Sequence, residues 1–309
     1  MALTKPQNLR AYSYESIAKG SLSFAFAARL LPLGIRDRVV KLYAWCRYVD
    51  NEVDLRISRL DPESRRRELD ALQDQSFGSF SMRTLPVAME ALRSLRTEVP
   101  FPEDYARDLI RGMEMDLDGV HYEEFEQLHL YCYRVAGVVG LMMTRVMGVD
   151  DPAALKHAED LGVGMQLTNI SRDIAEDAAM GRVYLPASWL REAGIELPSE
   201  LMDPTHRDRL VTVVGRVLAM ADRYYRSGDA GLKFLPLRCA IGIAAAREIY
   251  AAIGHEVMAR GARAWDQRVW IPWYQKLWYA GKGLLKVMKT LPYRWRRELH
   301  TNTPKTERM

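Results

Sequence analysis

Four aspartates are paired at a spacing that suits chemistry on a highly charged group. Asp50 and Asp54 stand in RYVDNEVD, and Asp173 and Asp177 in QLTNISRDIAEDAAMGRVYLP, Gln166 to Pro186. On an α-helix, residues i and i+4 share a face with Cβ atoms roughly 5–6 Å apart. Each motif therefore presents a two-carboxylate pincer. Two pincers facing each other across a helical bundle make an acidic pocket for a hard cation, Mg²⁺ first and Mn²⁺ as its substitute. Mg²⁺ takes few protein carboxylates, keeps several waters and completes its shell with substrate phosphates. The expected ligand is then a phosphorylated substrate held through metal. A lone Asp-x-x-x-Asp is common on solvated helix faces. Here both pairs follow apolar runs, VVKLYAWCRYVD and LGVGMQLTNI. Like charges at i,i+4 weaken a helix, and carboxylates set against apolar surface cost more unless paired or metal-bound. Two such placements call for a counter-charge.

The elements that must position these acids read as helices throughout. The chain has 309 residues, 48% hydrophobic and 27% charged, enough for a large core, and its net charge of +4 is too dispersed to imply a nucleic-acid partner. Cys46, Cys132 and Cys239 lack metal-ligand spacing and read as reduced core residues of a cytoplasmic protein. The N-terminus shows no signal-peptide core. The stretch VAGVVGLMMTRVMGV is too short to span a membrane and reads as a buried helix. Residues 1–12 form a loose lead-in. Helices are expected from Tyr14 to Leu31, from Arg36 to Leu55, after the Asp61-Pro62 cap, at about 84–97 and 103–117, and from Glu123 to Met147. A further helix runs from Asp151-Pro152 to Ala179, Gly181 ends it, and residues 186–203 are irregular, with short helical turns at best. The last two run from about 205 to 229 and 237 to 260. A loop surrounds Gly78. No period-2 alternation and no linker appear, so the fold class is all-α in a single domain of about ten helices.

The C-terminal segment, residues 271–309, differs in composition. Five of the seven tryptophans lie between Trp265 and Trp295, with Tyr274, Tyr279 and Tyr293 among them. From residue 282 on, eight Lys and Arg face two Glu. Aromatics and cations together suit the headgroup region of an anionic bilayer, so peripheral contact with the inner face of the membrane through residues 265–298 is an expectation.

Four stretches carry a resemblance: SLSFAFAARLLP, LYAWCRYVDNEVD, YCYRVAGVVG and, above all, QLTNISRDIAEDAAMGRVYLP. Across about residues 13–270 the chain resembles the squalene and phytoene synthase family of all-α isoprenoid synthases, most of all its phytoene-forming branch. The resemblance implies an isoprenoid-synthase bundle around a prenyl-diphosphate cavity, and head-to-head condensation of two geranylgeranyl diphosphates through a cyclopropyl diphosphate to phytoene. It implies Mg²⁺ on Asp50, Asp54, Asp173 and Asp177, with an Asn169 carbonyl one turn before Asp173 and Glu176 as a weaker candidate. Arg47, Arg172 and Arg268 match diphosphate-binding arginines, and Ser21 and Ser23 a serine pair near diphosphate. Tyr43, Tyr131 and Tyr250 match positions near the reacting carbons, and Gln166 closes the polar end. Gly137, Gly140, Gly162 and Gly164 read either as close helix contacts or as room for prenyl chains. No NADPH is expected, and neighbouring carotenoid-pathway enzymes are candidate partners. The alternatives are a dehydrosqualene or squalene synthase using farnesyl diphosphate and, from another class, a non-catalytic membrane-associated scaffold. A head-to-tail elongating enzyme is disfavoured because position 51 is Asn where an Asp-Asp motif would stand. A di-iron bundle is disfavoured because only one Glu-x-x-His, Glu126 to His129, is present.

Overall fold

The computed structural model describes residues 8–77 and 85–295. Among these, fourteen α-helices follow one another with short 3-10 turns and no strand. Helix α1 (Leu9–Gly20) starts at Asn8, whose side chain accepts a hydrogen bond from Arg10 N at 3.1 Å. The expected loose lead-in is therefore already helical from residue 9, while residues 1–7 lie outside the described residues. The single helix expected from Tyr14 to Leu31 is two. Ser21 is extended (φ −155°, ψ 105°), and its hydroxyl accepts from Phe24 N at 3.2 Å to cap α2 (Leu22–Ala28). A serine at this position satisfies an amide that a helix start leaves open.

Helix α3 (Leu33–Leu55) buries Val39, Leu42, Trp45, Val49 and Val53. That is the three- and four-residue spacing of one helix face, and it leaves the first acid pair near the helix end. Asp61 caps α4 (Pro62–Phe77) by accepting from Ser64 N at 3.0 Å. The loop expected around Gly78 falls outside the described residues. Helices α5 (Val87–Glu98) and α6 (Glu103–Leu117) follow. The long apolar helix expected from Glu123 is α7 (Phe125–Cys132) and α8 (Val138–Val146), joined by a π-helical turn over Tyr133–Gly137. Such turns often mark functional sites, and this one turns Val135 and Ala136 toward a central cavity.

Helix α9 (Pro152–Arg172) begins on Asp151, which accepts from Ala153 N at 2.9 Å. It stops one residue before the second acid pair. Asp173 leaves helical geometry (φ −98°, ψ 17°) and α10 (Ile174–Ala179) restarts beyond it. The two aspartates thus straddle a helix break rather than sharing one long helix. Their register survives, because Asp177 N still donates to Asp173 O at 2.8 Å. The short helical turns expected between 186 and 203 are α11 (Ala187–Glu192) and a 3-10 turn over Pro198–Glu200. Then come α12 (Arg207–Gly231), α13 (Leu237–Arg260) and α14 (Trp273–Met288).

Close backbone contact explains two of the four glycines. A Cβ on Gly140 would lie 2.3 Å from Ala158 O, and one on Gly162 2.3 Å from Ala136 O, so α8 and α9 cross where neither tolerates a side chain. Both also line the cavity. At Gly137 and Gly164 an added Cβ would meet Tyr133 at 3.2 Å and Tyr224 at 3.1 Å, contacts that small shifts could relieve.

Candidate active site

The cavity has a volume of about 290 Å³ and is lined almost wholly by apolar and small side chains. Helix α9 runs along it from Ala154 to Asn169, a rise of roughly 22 Å at 1.5 Å per residue. Gln166 and Asn169 give this wall its polar end, and the acids follow immediately after.

The first pair sits on α3. Asp50 accepts from Arg47 Nη1 at 2.6 Å, one turn back. Burial pushes the Asp50 carboxyl up, Arg47 opposes this and Asp54 adds to it. Asp54 accepts from Arg182 Nη2 at 2.8 Å. Arg182 follows Gly181, whose φ of 75° is the left-handed turn that ends α10. The backbone N of Arg182 donates to Asp177 O at 2.9 Å. One arginine therefore holds both motifs, its main chain on one and its guanidinium on the other, and the two pincers face each other.

The second pair is asymmetric. Asp173 is clamped on both sides: Arg172 donates to its two oxygens at 2.7 and 2.5 Å, and Arg268 to the same two at 2.9 Å each. Arg268 lies on the segment after α13, held in place by buried Val269 and Ile271 and by Trp265, whose indole N–H donates to Ser171 O at 3.0 Å. Burial works to raise the Asp173 carboxyl, but the two guanidiniums outweigh it and hold it below the usual range. Asp177 has no ion pair among the described residues. Burial first, then the charge of Asp173, pushes it up to about 7, with Arg182 opposing only in part. Glu176 is exposed and lies 3.9 Å from Arg268 Nε.

Asn169 completes the acidic end. Its Nδ2 donates to Gln166 Oε1 at 3.3 Å, while its Oδ1 is buried without a partner. A buried carbonyl oxygen left open beside carboxylates suits a cation. Among the described residues no three acidic, His or Cys side chains gather closely enough to hold an ion alone. The donors fit a hard cation that draws its remaining ligands from water and from a bound diphosphate. Asp50, Asp54, Asn169 and Asp177 could hold it, with Asp173 available if its arginines turn to the phosphates.

The aromatic residues fall into two groups. Phe24 packs between Tyr43 and Tyr250, with ring centroids 6.3 and 5.2 Å away. Tyr43 lines the cavity and burial pushes its hydroxyl up to about 12. Tyr250 is buried on α13, and burial raises it despite the opposing influence of Arg172 and Ser21 beside it. Ser21 thus joins the polar end, whereas Ser23 is half-buried and its hydroxyl bonds nothing among the described residues. Tyr131 belongs elsewhere. Its hydroxyl donates to Asp116 at 3.0 Å, as does that of Tyr184 at 2.7 Å, and the two rings stack at 4.9 Å. Burial pushes Asp116 up to about 6, against those hydrogen bonds and Arg182, while Asp54 adds to the rise. Asp116, Tyr184 and Arg182 were not singled out in the sequence. Asp116 has no acid four residues before or after it in sequence, and Arg182 and Tyr184 follow the second acid pair in MGRVYLP, where no spacing marks them. His129 of the lone Glu-x-x-His stacks on Tyr224 at 5.6 Å, a packing role.

Residues 17–275 match the family model described as squalene/phytoene synthase. The chain is 43% identical over 263 residues to the 15-cis-phytoene synthase of Paracoccus sp. (strain N81106 / MBIC 01143), covering 83% of this chain and 84% of that one. It is 38% identical over 304 residues to the 15-cis-phytoene synthase of Pantoea ananas, covering 93% and 97%. A crystal structure of a dehydrosqualene synthase in complex with ligand superposes with a TM-score of 0.80 at 26% identity, over 92% of this chain and 98% of that one. Squalene synthase HpnC from Alicyclobacillus acidocaldarius shares the fold, with a TM-score of 0.71 at 22% identity over 83% and 97%. On the family model that matches most of its length, the identity to these relatives and its helical bundle, the chain belongs to the squalene/phytoene synthase family.

Proposed function

We propose that this chain is a phytoene synthase, a prenyltransferase that condenses two geranylgeranyl diphosphates with the help of Mg²⁺. One substrate loses diphosphate by C–O cleavage. The double bond of the other attacks the allylic cation, and a proton leaves to close a cyclopropyl diphosphate. That intermediate loses its own diphosphate, rearranges and gives up a second proton to form phytoene. The observation that carries the reading is the juxtaposition of an apolar wall running roughly 22 Å along α9 with an end where two acid pairs meet four arginines. A long methyl-branched prenyl tail lies along such a wall, and small residues such as Ala28, Gly228 and Gly242 leave it room.

The cation supplies positive charge where diphosphate oxygens become more negative as the C–O bond breaks. The chain's own residues do the rest. Arg47, Arg172, Arg182 and Arg268 are planar donors already turned toward the acidic end, able to hold a carboxylate and a phosphate together. The dry lining keeps water from the cations. Tyr250 is a neutral phenol, since burial raises it, so it orients groups rather than accepting a proton. Released diphosphate beside it is the stronger base and takes the proton. No reductant is consumed, because proton loss closes the sequence.

The test supplies geranylgeranyl diphosphate and Mg²⁺, without and then with NADPH. Phytoene in both cases, and none in EDTA, is the expected result. Stalling at the cyclopropyl diphosphate until NADPH is added moves the chain to the squalene-type branch. Turnover of farnesyl diphosphate in preference to the longer substrate makes it a dehydrosqualene or squalene synthase.

A further inference from the structure

We propose that one face of α14 is a docking surface for an anionic lipid bilayer, with the helix lying flat on the membrane. No helix among the described residues is long and apolar enough to cross one. The buried side of α14 is Lys276, Gly283 and Val287. At Gly283 the helix presses on α13 so closely that a Cβ would lie 2.8 Å from Ala244 C and 2.9 Å from Ala245 N. Lys286 Nζ reaches Asp229 on α12 and Glu248 on α13, each at 2.6 Å. Packing and ion pairs together fix which side of α14 faces outward.

That outward side is apolar. At 100° per residue, Trp273, Leu277, Trp278, Leu284, Leu285 and Met288 fall within one arc of roughly 140°. Trp273, Trp278 and Leu285 are 72%, 66% and 61% exposed. Trp270 before the helix and Trp295 after it are 66% and 71% exposed. Isolated exposed hydrophobes need no explanation, but a contiguous aromatic face does. One side of α14 therefore packs on the bundle while the other presents its aromatics outward.

Charge identifies the occupant. No Asp or Glu occurs between Asp266 and Glu298, while eight Lys and Arg do. Lys282 and Lys289 stand exposed along one edge of the arc, and Lys282 Nζ lies 5.8 and 5.4 Å from the ring centroids of Trp278 and Tyr279. Tryptophan and tyrosine with lysine at the border is the make-up of helices that sit at the headgroup level. A second copy of the chain would bring the same uncompensated positive edge against itself.

The proposal does not depend on which prenyl diphosphate is used, and its test is separate from turnover. The full chain is floated with vesicles of phosphatidylcholine alone or mixed with phosphatidylglycerol, at low and high salt, with tryptophan emission followed in parallel. Co-flotation with the anionic vesicles, a blue shift, and loss of both at high salt are expected. Trp273→Ala with Trp278→Ala, or Lys282→Glu with Lys289→Glu, should weaken partition by about tenfold or more. Their circular dichroism and their turnover in detergent should stay unchanged, since all four side chains are exposed. A chain that stays in the soluble fraction with anionic vesicles at low salt overturns the proposal. So does partition that the substitutions leave alone, or a dimer in sedimentation that Trp278→Ala dissolves.

Discussion

The two acid pairs share a spacing and differ in almost everything else. Asp50 and Asp54 lie on an unbroken helix, and each holds one arginine, Arg47 from the same helix and Arg182 from across the site. Asp173 and Asp177 flank a helix break, and the arginines are shared unequally: two on Asp173 and none on Asp177. The first pair is balanced before any substrate arrives. The second holds one carboxylate neutralised twice over and one left without a counter-charge. The spacing alone did not distinguish them. Unequal partners, supplied by residues far away in sequence, make one member of the second pair an anchor and the other the place most in need of a cation.

The largest effects break the pincers themselves. Asp50→Ala and Asp173→Ala should each lower turnover by about 10³-fold or more, since each removes a carboxylate that holds the positive charge, cation or arginine, that stabilises the leaving diphosphate. The comparison is sharpened by stability. The Asp50 pair is more than a third exposed, and its loss should change unfolding by about 1 kcal/mol or less. Asp173→Ala strands Arg172, whose side chain is only 13% exposed, and should cost about 3 kcal/mol. Steady-state kinetics and urea unfolding measure both. A retained rate in either variant, or equal stability losses, would contradict the assignment.

Arg182 comes next. Its guanidinium on Asp54 and its backbone on Asp177 link the two pairs. Arg182→Gln should lower kcat by about 10²-fold with a smaller change in stability, because the backbone tie to Asp177 remains. Arg182→Lys should recover part of the rate. If Gln and Lys behave alike, the guanidinium is packing rather than linking the pairs.

The helical class, the long apolar helix over α7 and α8, and the acid spacings were legible because periodicity and caps are local. Asp61-Pro62 and Asp151-Pro152 cap the helices they were expected to cap. The misses are all positions where distant contact or a single dihedral decides. Ser21 sits after Gly20, a pair that could have been read as an end and a new start, but the apolar pattern runs on through SFAFAARLL. The break at Asp173 leaves the i,i+4 hydrogen bond in place, so it has no periodic signature. Asp116 acquires its meaning from Tyr131 and Tyr184, fifteen and sixty-eight residues away, and no spacing rule joins them. The C-terminal tryptophans were legible as composition. Which of them face outward depends on Gly283 and Lys286, which fix the rotation of α14.

The smallest expected effect is also the most direct test of the asymmetry within the second pair. Asp173 is held below the ordinary carboxyl range, so the stability it contributes is present above that range and is lost as pH falls through its folded value. Asp177 has the opposite sign. Its folded value near 7 lies above the ordinary ~3.9, so between them the native state holds a proton that the unfolded chain has released. Stability must then fall as pH rises from ~4 to ~7 and level off beyond. Asp177→Asn cannot ionise and escapes this loss. In EDTA, urea unfolding should show Asn gaining on the wild type across that window, reaching about 1–2 kcal/mol at pH 8 after allowance for solvent screening. Mg²⁺ with inorganic diphosphate should reverse the order, because the cation favours the carboxylate that Asn lacks. A difference between the two chains that does not vary with pH would mean that Asp177 is as well compensated as its neighbour, and the contrast between the two carboxylates would be lost.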